Sequence, residues 1–524
     1  MNRLSVLAAI LLLLTIPTIL ASEYTNVTVS EAKAMIDSNL FSVVLDVRTQ
    51  SEYDSGHIRK AKHIPVSELQ GRLDELNVAD DILVYCKSGG RSATASQILV
   101  DNGFSHVYNM LGGIDAWNFQ GYPVFVKYSS IQEAVNNAAP GDTLLVSLGI
   151  YYENVVVNKT VSLIGEDRSA TIIDGSYTGT VVEVEAPNVT LADFTIQKSS
   201  PSLPHCGIYL SSDDNNITFN IIRNNLYGIK GSSDNSIIAR NNITLSDEDG
   251  VSLSSSSGNI ISSNILRGNH EGISIFQSSR TQITRNTVEE NIVGISLSTS
   301  SNNTVRENTA RDNEHGIWIH FSSNNVISEN DITTSAGAIW LTNSTFNTML
   351  HNTIVGANFG GIHLERSSNN TAYENTISEC GFGIRLGNST NNTFFHNNLL
   401  NNTQQTDFYW LNFTNTWDNG REGNYWSDQN NTDSDGNGIG DTPYIINENN
   451  QDNYPLMNLR WNPADVNHDL KVDIYDAVLF CGAYLSTPSD PRWNPLCDIA
   501  EPLGVIDIYD VVLMCGHYGE EFTL

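Results

Sequence analysis

The chain has 524 residues, of which 59 are acidic and 27 are basic, so its formal net charge at pH 7 is −32. This length allows several domains with separate hydrophobic cores. The acidic surface suits an extracellular protein or one that collects cations, and we expect no nucleic-acid partner because like charges repel.

The first 22 residues have the build of a secretory signal peptide. Arg3 is followed by an apolar run that extends to Leu20 and then by two small residues. We therefore expect residues 1–22 to be removed and the mature protein to be secreted or held at the cell surface. The alternative is an uncleaved membrane anchor, because the apolar run approaches the length of a membrane-spanning helix.

From residue 29 to residue 113 the sequence alternates between short strands and helices. The segment SEAKAMID predicts a helix with Ser30 as its N-cap. Two buried strands, FSVVLDVR and DILVYC, precede a helix, ATASQILVDNG, and a strand with a turn, HVYNMLGG. This alternation predicts an α/β domain with a mainly parallel sheet, whose ligands bind at the C-terminal ends of strands. Cys86 stands at such an end.

The loop CKSGGRS, residues 86–92, combines a cysteine with two glycines and an arginine just before a predicted helix. Backbone amides that no side chain obstructs can surround an anion, and a helix N-terminus adds a favourable dipole. Together with Arg91 they would stabilise a thiolate on Cys86 and hold an oxyanion such as thiosulfate.

Residues 24–126 resemble a rhodanese domain in four segments: LDVRTQSEYDSGHI, the pair IP at 64–65, CKSGGRS and NMLGGIDAW. The resemblance implies that Cys86 accepts sulfur from thiosulfate or a persulfide donor as a persulfide and passes it to a thiol acceptor. It also implies that Arg91 and the loop amides hold the substrate. The other loop residues are Lys87, Ser88, Gly89, Gly90 and Ser92, and the implied loop supports are Asp46, Arg48, Glu52 and His57. The alternative is a rhodanese fold used only for binding.

From about residue 205 the sequence repeats every 21 to 23 residues. Gly-Ile or Gly-Val pairs begin the repeats, and asparagines recur in step with them, at Asn242, Asn264, Asn286, Asn308, Asn330, Asn352, Asn375 and Asn397. A single unit cannot bury its apolar face, but stacked coils share a core. The stacked asparagines can form a ladder of side-chain amides at each turn. We therefore predict an all-β right-handed parallel β-helix over residues 127–422 with coils of about 22 residues, opened by a capping helix and a first strand in SIQEAVNNAAPGDTLLV. This stretch resembles the NosD-type, pectin-lyase-like β-helices of exported archaeal and bacterial proteins.

Within each repeat, the residue after a Gly-Ile pair faces outward, because side chains alternate along a strand. On successive coils this position holds Trp318, Trp340, His363 and Arg385. Exposed tryptophans often bind sugars, so this strip is a candidate glycan platform for a polysaccharide. The alternative is that a neighbouring loop or the C-terminal segment covers the two tryptophans.

The repeats carry two further sets of candidate functional side chains, an acidic pair and four histidines. Asp249 and Glu271 fall on adjacent coils, as the carboxylates of a retaining glycosidase would, or they are acids at solvated turns. The four histidines that could recruit copper, the metal implied by the NosD name, show no ligand spacing: His270, His315, His320 and His363.

Residues 423–460 contain a loop with alternating oxygen side chains. Its candidate calcium ligands are Asp433, Asp435, Asn437 and Asp441, with a backbone carbonyl from Ile439. No acid stands at the twelfth loop position, which distinguishes the loop from an EF-hand. The alternative is an Asx-turn loop without metal.

Residues 462–524 resemble a type I dockerin, a small α-helical calcium module with a duplicated loop and helix. In DVNHDLKVDIYD the calcium ligands implied are Asp465, Asn467, Asp469, the Lys471 carbonyl, Asp473 and Asp476. The second loop keeps Asp498, Asp507 and Asp510 but is one residue longer, with Ala500 where an oxygen ligand is expected. The implied partner is a cohesin-type protein or a cell-surface scaffold, contacted through the helices after Asp476 and Asp510. Cys481 and Cys515 occupy matching places, as a disulfide or as buried free thiols.

These segments together predict an extracytoplasmic sulfurtransferase carried on a β-helix and attached through a calcium-dependent docking module. Two alternatives remain: a carbohydrate-binding or adhesion protein with a vestigial rhodanese domain, and a β-helix polysaccharide hydrolase or lyase.

Overall fold

A computed structural model describes residues 23–410, 413–459, 474–487, 492, 497 and 505–516. The expected signal peptide, residues 1–22, lies outside the described residues. The chain divides into two compact units, one that runs up to Gln197 and includes Phe219–Ile221, and one that comprises Lys198–Thr218 and the residues from Ile222 onwards. In the part of the chain that is described, no helix has the length and apolarity needed to span a membrane.

The first unit begins with an α/β domain built on a five-stranded sheet with the order β1-β5-β4-β2-β3, in which all pairs are parallel. This confirms the predicted fold class of this segment. The strands are β1 Thr25–Val27, β2 Val43–Asp46, β3 Lys62–His63, β4 Ile82–Tyr85 and β5 Val107–Met110. The helices are α1 Val29–Asp37, α2 Gln50–Asp54, α3 Val66–Leu69, α4 Gly90–Asp101 and α5 Gly113–Phe119, with a 3-10 turn at Leu73–Glu75.

Strand β4 is buried on both faces, and this places the end of the strand at the centre of the domain. Ile82 and Val84 join one apolar cluster with Leu99 of helix α4. Leu83 and Tyr85, which alternate with them, join the other cluster. A central parallel strand covered by helices on both sides requires such a continuous apolar run. The residue that follows β4 is Cys86.

The start of helix α1 differs from the prediction. Thr28, not Ser30, is the N-cap: its hydroxyl accepts a hydrogen bond from the Glu31 amide at 3.3 Å, and the Glu31 carboxylate accepts one from the Thr28 amide at 2.7 Å. This reciprocal capping box satisfies two free amides at once, which a cap at Ser30 would not do.

The rest of the first unit consists of solenoid coils preceded by a capping helix, α6 Ile131–Asn137, as predicted. Strand Thr143–Val146 pairs in parallel with Ser162–Gly165, and Gly149–Tyr152 pairs in parallel with Thr171–Asp174. The remaining strands of these coils are Val155–Val157, Val182–Val184, Thr190–Ala192 and Thr195–Gln197.

The second unit continues as parallel coils, which confirms the predicted β-solenoid and its period. Ile273 pairs with Ile295, and Ile295 pairs with Ile317, so that equivalent buried residues are 22 positions apart. One sheet contains Asn216–Thr218, Ile237–Ala239, Ile260–Ser262, Gln282–Thr284, Thr304–Arg306, Val326–Ser328, Thr348–Leu350, Thr371–Tyr373 and Thr393–Phe395. The other contains Ile208–Leu210, Ile221–Arg223, Ile229–Gly231, Asn242–Thr244, Val251–Ser254, Ile265–Arg267, Glu271–Phe276, Thr287–Glu289, Val293–Ser298, Thr309–His320, Asp331–Thr342, Thr353–Val355, Gly360–Glu365, Thr376–Ser378, Phe382–Gly387, Asn398–Leu400, Gln404–Tyr409 and Tyr425–Trp426.

Buried asparagines form the predicted amide ladder at one turn of the coils. The Asn286 side-chain amide donates to the Asn308 side-chain oxygen at 3.0 Å, and the same contact joins Asn308 to Asn330. At the start of this ladder the prediction was wrong by one residue. Asn241, not Asn242, bonds Asn264, because Asn242 already begins the strand that follows the turn. A second ladder, which includes Asn303, Asn325 and Asn347, was not anticipated.

The C-terminal part ends in an antiparallel pair, Tyr444–Asn447 with Asn450–Asp452, and two helices, α7 Ile474–Ala483 and α8 Ile508–Gly516. A small core between the helices contains Phe480 and Met514, which occupy equivalent places in the duplicated sequence. Cys481 and Cys515 are free and exposed, contrary to both predicted states.

Candidate active site

Cys86 lies at the carboxyl end of β4, and its side chain is almost fully buried at 1% exposure. The Gly89 amide donates a hydrogen bond to Cys86 Sγ at 3.1 Å. Helix α4 begins at the next residue, and Gly89 reaches this position with a φ of +105°, which a residue with a side chain rarely adopts. The loop therefore directs backbone amides and a helix N-terminus at the sulfur, as the sequence predicted.

The electrostatic surroundings favour the thiolate of Cys86. Burial alone would raise the pKa of this thiol, but hydrogen bonds from the Ser92 hydroxyl and from the amides of Ser92, Gly89 and Ser88 outweigh burial. The pKa of Cys86 is therefore lowered. This matters chemically because the thiolate is the nucleophile.

The hydroxyl of Ser92 has two acceptors within its reach but only one proton. Ser92 is fully buried, and its hydroxyl donates to the Gly89 carbonyl oxygen at 3.0 Å. When Cys86 ionises, the thiolate becomes the stronger acceptor, because hydrogen bonds to charged groups are the stronger ones. Ser92 can therefore stabilise the loop in the thiol state and the sulfur in the thiolate state.

Arg91 is held by Glu52 of helix α2. Its two terminal nitrogens, Nη1 and Nη2, each donate to one carboxylate oxygen of Glu52 at 2.7 Å. The Arg91 guanidinium holds the pKa of Glu52 well below its usual range. Glu52 in turn caps helix α2 by accepting hydrogen bonds from Thr49. Glu52 thus supports the loop, as predicted, through its direct hydrogen bonds with Arg91.

Asp46 and Arg48 form a buried brace below the loop. Arg48 Nη2 donates to Asp46 Oδ2 at 2.6 Å and to the Gly56 carbonyl at 2.7 Å. The guanidinium carbon also lies 5.6 Å from the centre of the Tyr85 ring. Burial would lower the pKa of Arg48, yet the hydrogen bond and charge of Asp46 raise it overall. This pair therefore ties the end of β2, the strand next to β4, to the turn at Gly56.

His57 makes its hydrogen bonds away from the loop. One ring nitrogen, Nδ1, lies 3.0 Å from the Tyr53 carbonyl oxygen, and Nε2 lies 2.9 Å from a carboxylate oxygen of Glu166. Glu166 follows strand Ser162–Gly165 and belongs to the second solenoid coil. The predicted direct support of the loop by His57 is therefore replaced by a contact between the α/β domain and the coil.

Two adjacent glycines at the start of the second helix after Cys86 also support the loop. Gly112 and Gly113 have φ values of +76° and +57° and open helix α5, whose Ile114 amide donates to the Cys86 carbonyl at 2.9 Å. A Cβ on Gly113 would lie 2.5 Å from the carbonyl oxygens of Cys86 and Lys87. The signal that could have identified them is the pair of adjacent glycines before a helix in NMLGGIDAW.

The predicted glycan platform is an aromatic ladder, formed by Trp318, Trp340, His363 and Tyr409. Trp318 and Trp340 are in register and stack with ring centroids 5.6 Å apart, and Trp340 stacks on His363 at 5.0 Å with planes 4° apart. His363 also bonds the Tyr409 hydroxyl at 2.9 Å. Arg385 lies over Tyr409 and donates to Asp407. The ring faces that a sugar would contact are largely turned towards one another.

Asp249 and Glu271, the other candidate pair, interact across adjacent coils. Burial and the nearby charge of Glu271 raise the pKa of Asp249 to about 6. A raised pKa is suited to a general acid. It also arises wherever two acids stack in a solenoid, so the pair alone does not identify a catalytic site.

The loop at 433–441 folds around its own carboxylates. Asp433 accepts hydrogen bonds from the amides of Gly436, Asn437 and Gly438 at 2.8 to 3.0 Å. Asp441 accepts hydrogen bonds from the hydroxyls of Thr432 and Ser434. This is the arrangement of the Asx-turn alternative. The oxygen donors remain of the type that calcium prefers, so the chemistry of this loop fits a hard cation.

Most of the calcium ligands predicted for residues 462–524 lie outside the residues that the structure describes. Asp507 and Asp510 are described, and Asp510 accepts a hydrogen bond from the Asp507 amide at 2.7 Å. Within the described ranges, no group of three or more His, Cys, Asp or Glu side chains is arranged to hold a metal ion. The ligands outside the described residues, or with an undescribed side chain, are Asp465, Asn467, Asp469, Lys471, Asp473, Asp476 and Asp498.

Part of the first unit is similar to a known protein family. Residues 28–120 match the model of the rhodanese-like domain. Thiosulfate sulfurtransferase 18 of Arabidopsis thaliana is 39% identical over 118 residues, which cover 20% of this chain and 85% of that protein. Thiosulfate sulfurtransferase GlpE of Coxiella burnetii (strain RSA 493 / Nine Mile phase I) is 37% identical over 75 residues, which cover 14% of this chain and 70% of that protein. The chain spans about half, 52%, of the Bacillus subtilis protein YrkF.

The coils match two further models. Residues 180–332 match the right handed beta helix region, and residues 283–431 match the periplasmic copper-binding protein NosD. The A-module of mannuronan C-5 epimerase AlgE6 from Azotobacter vinelandii is similar at 15% identity, with a TM-score of 0.47 over 55% of this chain and 92% of that module.

Four of the five described histidines of the NosD-matched segment are engaged by other polar side chains, and the fifth, His315, packs against Trp318 and Trp340. His320 bonds the Thr342 hydroxyl at 2.7 Å, and His363 is part of the aromatic ladder. His351 and His396 form ion pairs with glutamates instead, at 3.0 Å to Glu374 and 2.7 Å to Glu422. These rings are therefore committed to partners within the solenoid.

Proposed function

Because the chain belongs, through residues 28–120, to the family of proteins with a rhodanese-like domain, we propose that it is a sulfurtransferase that carries sulfur as a persulfide on Cys86. The observation that supports this most directly is the thiolate setting of Cys86. Its sulfur accepts the Gly89 amide at the start of helix α4, and its pKa is lowered despite burial. Such a thiolate is a competent nucleophile.

The proposed reaction has two displacement steps. The Cys86 thiolate attacks the outer sulfur of thiosulfate, an S–S bond forms on Cys86, the S–S bond of thiosulfate breaks, and sulfite leaves with the electron pair. An acceptor thiolate or cyanide then attacks the outer sulfur of the persulfide, and Cys86 leaves as a thiolate. No external oxidant or reductant is consumed. Arg91 and the loop amides would stabilise the sulfite oxygens as charge develops on them.

We further propose that this chemistry takes place outside the cytoplasm. The coils match a family described as periplasmic, and the first 22 residues have the build of a signal peptide. An accessible Cys86 persulfide would then depend on a reducing or sulfidic environment, because thiols outside the cytoplasm are subject to oxidation.

The C-terminal segment is proposed to dock the protein to a cohesin-type partner or surface scaffold in a calcium-dependent way. The support is the duplication of an exposed apolar face: Ile474, Tyr475 and Val478 of α7 correspond to Ile508, Tyr509 and Val512 of α8, and all six are more than half exposed. Calcium titration of the full-length chain, followed by calorimetry, tests the metal requirement. A chain that binds no calcium at millimolar concentration contradicts this part of the proposal.

The carbohydrate-based alternatives receive less support from the geometry. A sugar platform needs free ring faces, whereas Trp340 stacks on Trp318 and on His363. A β-helix hydrolase would rest on Asp249 and Glu271, whose arrangement stacked coils also produce without catalysis. Sulfur transfer is therefore the function that the described side chains favour.

The experiment that tests the proposal is to incubate the full-length chain with thiosulfate and measure the mass of the Cys86 peptide, then add cyanide and measure thiocyanate. We expect one added sulfur atom, its loss to cyanide, and no reaction in Cys86→Ser. Cys380→Ser is the matched control, because this buried thiol has a pKa raised to about 11 by burial. A folded chain that forms neither persulfide nor thiocyanate overturns the proposal.

A further inference from the structure

Glu166 lies on the second solenoid coil, yet its carboxylate is fully buried against the α/β domain of the same unit. Its Oε2 accepts hydrogen bonds from His57 Nε2 at 2.9 Å and from the Leu148 amide at 3.2 Å. Its Oε1 accepts one from the Lys60 amide at 2.6 Å. Two of the three donors belong to the α/β domain, so this carboxylate links the domain to the coil.

The hydrogen bonds of the His57 ring indicate where protons lie between His57 and Glu166. The Tyr53 carbonyl can only accept a hydrogen bond, so His57 Nδ1, at 3.0 Å, carries a proton. The other ring nitrogen faces the Glu166 carboxylate, so a second proton lies between them. The pair is therefore joined by a hydrogen bond within the interior, and both side chains have no exposed surface. Removing one partner would leave the polar group of the other buried and unpaired.

His57 connects this link to helix α2. The His57 ring stacks on Tyr53 with centroids 3.8 Å apart and planes 8° apart. At the end of the same helix, the Asp54 carbonyl accepts a hydrogen bond from the Lys127 amide at 2.9 Å. The segment that follows the domain is also held, because Phe125 and His57 exchange two backbone hydrogen bonds and Val126 pairs with Val146 of the first coil.

Helix α2 is the element that supplies Glu52 to Arg91. The helix has five residues, so Glu52 and Tyr53 are adjacent within one and a half turns. A displacement of Tyr53 therefore moves Glu52 with it. Since Glu52 sets the plane of the Arg91 guanidinium through two hydrogen bonds, the position of Arg91 depends on the anchoring of this short helix.

We propose that Glu166 is a positioning residue for the Cys86 site, which fixes helix α2 through His57 and thereby orients Arg91. The inference rests on the proposed sulfur transfer and extends it, because it makes the second solenoid coil part of the support of the active site. A coil residue far from Cys86 in sequence would then control how well the loop binds an anion.

The test compares two alkylating agents on the full-length chain. Iodoacetate is an anion and uses Arg91, whereas iodoacetamide is neutral and does not, so the ratio of their rates at Cys86 reports the position of Arg91. We expect Glu166→Ala to lower this ratio by about tenfold, because small misplacements at a site have effects of this size or larger. A merely destabilised fold would change both rates together. The KM for thiosulfate should rise in parallel, with a smaller change in kcat.

The conservative variant Glu166→Gln should restore the ratio. Its amide nitrogen can donate to His57 Nε2, and its oxygen can still accept the Lys60 amide. Asp193→Ala is the matched control, because Asp193 pairs with Arg59 at 3.1 Å across the same junction, through a partly exposed contact that involves neither His57 nor the Glu166 carboxylate. We expect this control to leave the ratio unchanged.

If Glu166→Ala does not fold, the double variant His57→Phe/Glu166→Leu replaces the buried pair with apolar side chains of similar volume, a change that often preserves stability. A folded variant with the wild-type ratio overturns the inference, and so does an equal fall in Asp193→Ala. If the wild-type chain transfers no sulfur but Glu166→Ala still lowers the ratio, the positioning role stands and the proposed function fails.

Discussion

Arg91 and Glu52 are joined at two points, with each terminal nitrogen of the guanidinium 2.7 Å from a different carboxylate oxygen. Both side chains keep about a third of their surface exposed, at 35% and 31%. The orientation of Arg91 is therefore set before any substrate arrives, but one N–H on each terminal nitrogen is already engaged. An anion at Cys86 would be held by the loop amides together with the remaining N–H groups of Arg91.

Glu52→Gln should impair substrate binding more than folding. The variant keeps a capping side chain on helix α2 but loses the ion pair, so we expect the KM for thiosulfate to rise by about three- to tenfold. Stability should change by less than about 1 kcal/mol, because partly exposed ion pairs contribute little. Steady-state kinetics and thermal unfolding of the same samples test this.

The matched control for Glu52→Gln is Glu75→Gln. Glu75 also pairs with an arginine of the α/β domain, Arg72, at 2.6 Å, but on an exposed surface away from the loop. Equal kinetics in Glu52→Gln and the wild-type chain would contradict the role of the pair.

Ser92→Ala should raise the pKa of Cys86. Burial raises this pKa, and the hydrogen bond from the Ser92 hydroxyl lowers it, so loss of the hydroxyl moves the pKa upward. The rate of alkylation by iodoacetamide, which follows the thiolate, should therefore shift to higher pH. Ser96→Ala is the control, because Ser96 is buried in the same helix and its hydroxyl has no hydrogen-bond partner. Coincident pH profiles for Ser92→Ala and the wild-type chain would refute the assignment.

The lowered pKa of Cys86 also affects the stability of the fold. A thiol whose folded-state pKa is depressed stabilises the fold at pH values above the ordinary cysteine pKa, and this contribution disappears as pH falls through the depressed value. The difference in stability between the wild-type chain and Ser92→Ala should therefore be larger at alkaline pH than at neutral pH. Urea unfolding at both pH values measures it.

The elements around Cys86 were predictable because their signals are local. The run ILVY of β4 is apolar throughout, as is typical of a central parallel strand. The glycines after Cys86 predict a loop whose backbone amides can bind an anion. The stacking of buried isoleucines in the solenoid was predictable for a similar reason, since Ile273, Ile295 and Ile317 recur at the spacing of one coil.

The parts that could not be predicted depend on side-chain torsions and on distant contacts. The sequence places Trp318 and Trp340 on the outer face, but it carries no signal that their rings stack on each other rather than lie open. His57 and Glu166 are 109 positions apart, and neither belongs to a periodic pattern. Asn241, not Asn242, joins the ladder. The two asparagines are adjacent, so the sequence does not show which of them occupies the ladder position.

Gly113→Ala should destabilise the α/β domain and distort the loop. The new Cβ would lie 2.5 Å from the carbonyl oxygens of Cys86 and Lys87, and the φ of +57° adds a cost of its own. We expect a loss of about 2 to 4 kcal/mol. Gly121→Ala separates the two effects, because Gly121 has a φ of +70° with no atom within 4 Å of its would-be Cβ. Equal stability losses in the two variants, measured by chemical denaturation, would rule out the steric contact with the loop.

Trp340→Ala should weaken the solenoid rather than remove a sugar site. Its ring stacks on Trp318 and on His363, so its loss leaves a cavity and removes two stacking contacts, with an expected cost of about 3 kcal/mol. Trp410→Ala is the control, because Trp410 is 59% exposed. Calorimetry and polysaccharide binding are measured together. A variant with unchanged stability and lost polysaccharide binding would instead favour the glycan platform.

Glu166 should make stability depend on pH on the acid side. Burial would raise the pKa of this carboxyl, but His57 and the amides of Lys60 and Leu148 lower it overall. A carboxylate with a depressed pKa stabilises the fold above the ordinary glutamate pKa, and the contribution is lost as pH falls through the depressed value. We expect Glu166→Gln to be less stable than the wild-type chain by about 2 kcal/mol at pH 7, with the difference shrinking below about pH 4. Calorimetry of both chains across this range measures the difference, and Asp193→Asn, at the exposed pair of the same junction, should show a much smaller one. A difference that stays constant as the pH falls would show that the buried carboxylate is not the group responsible.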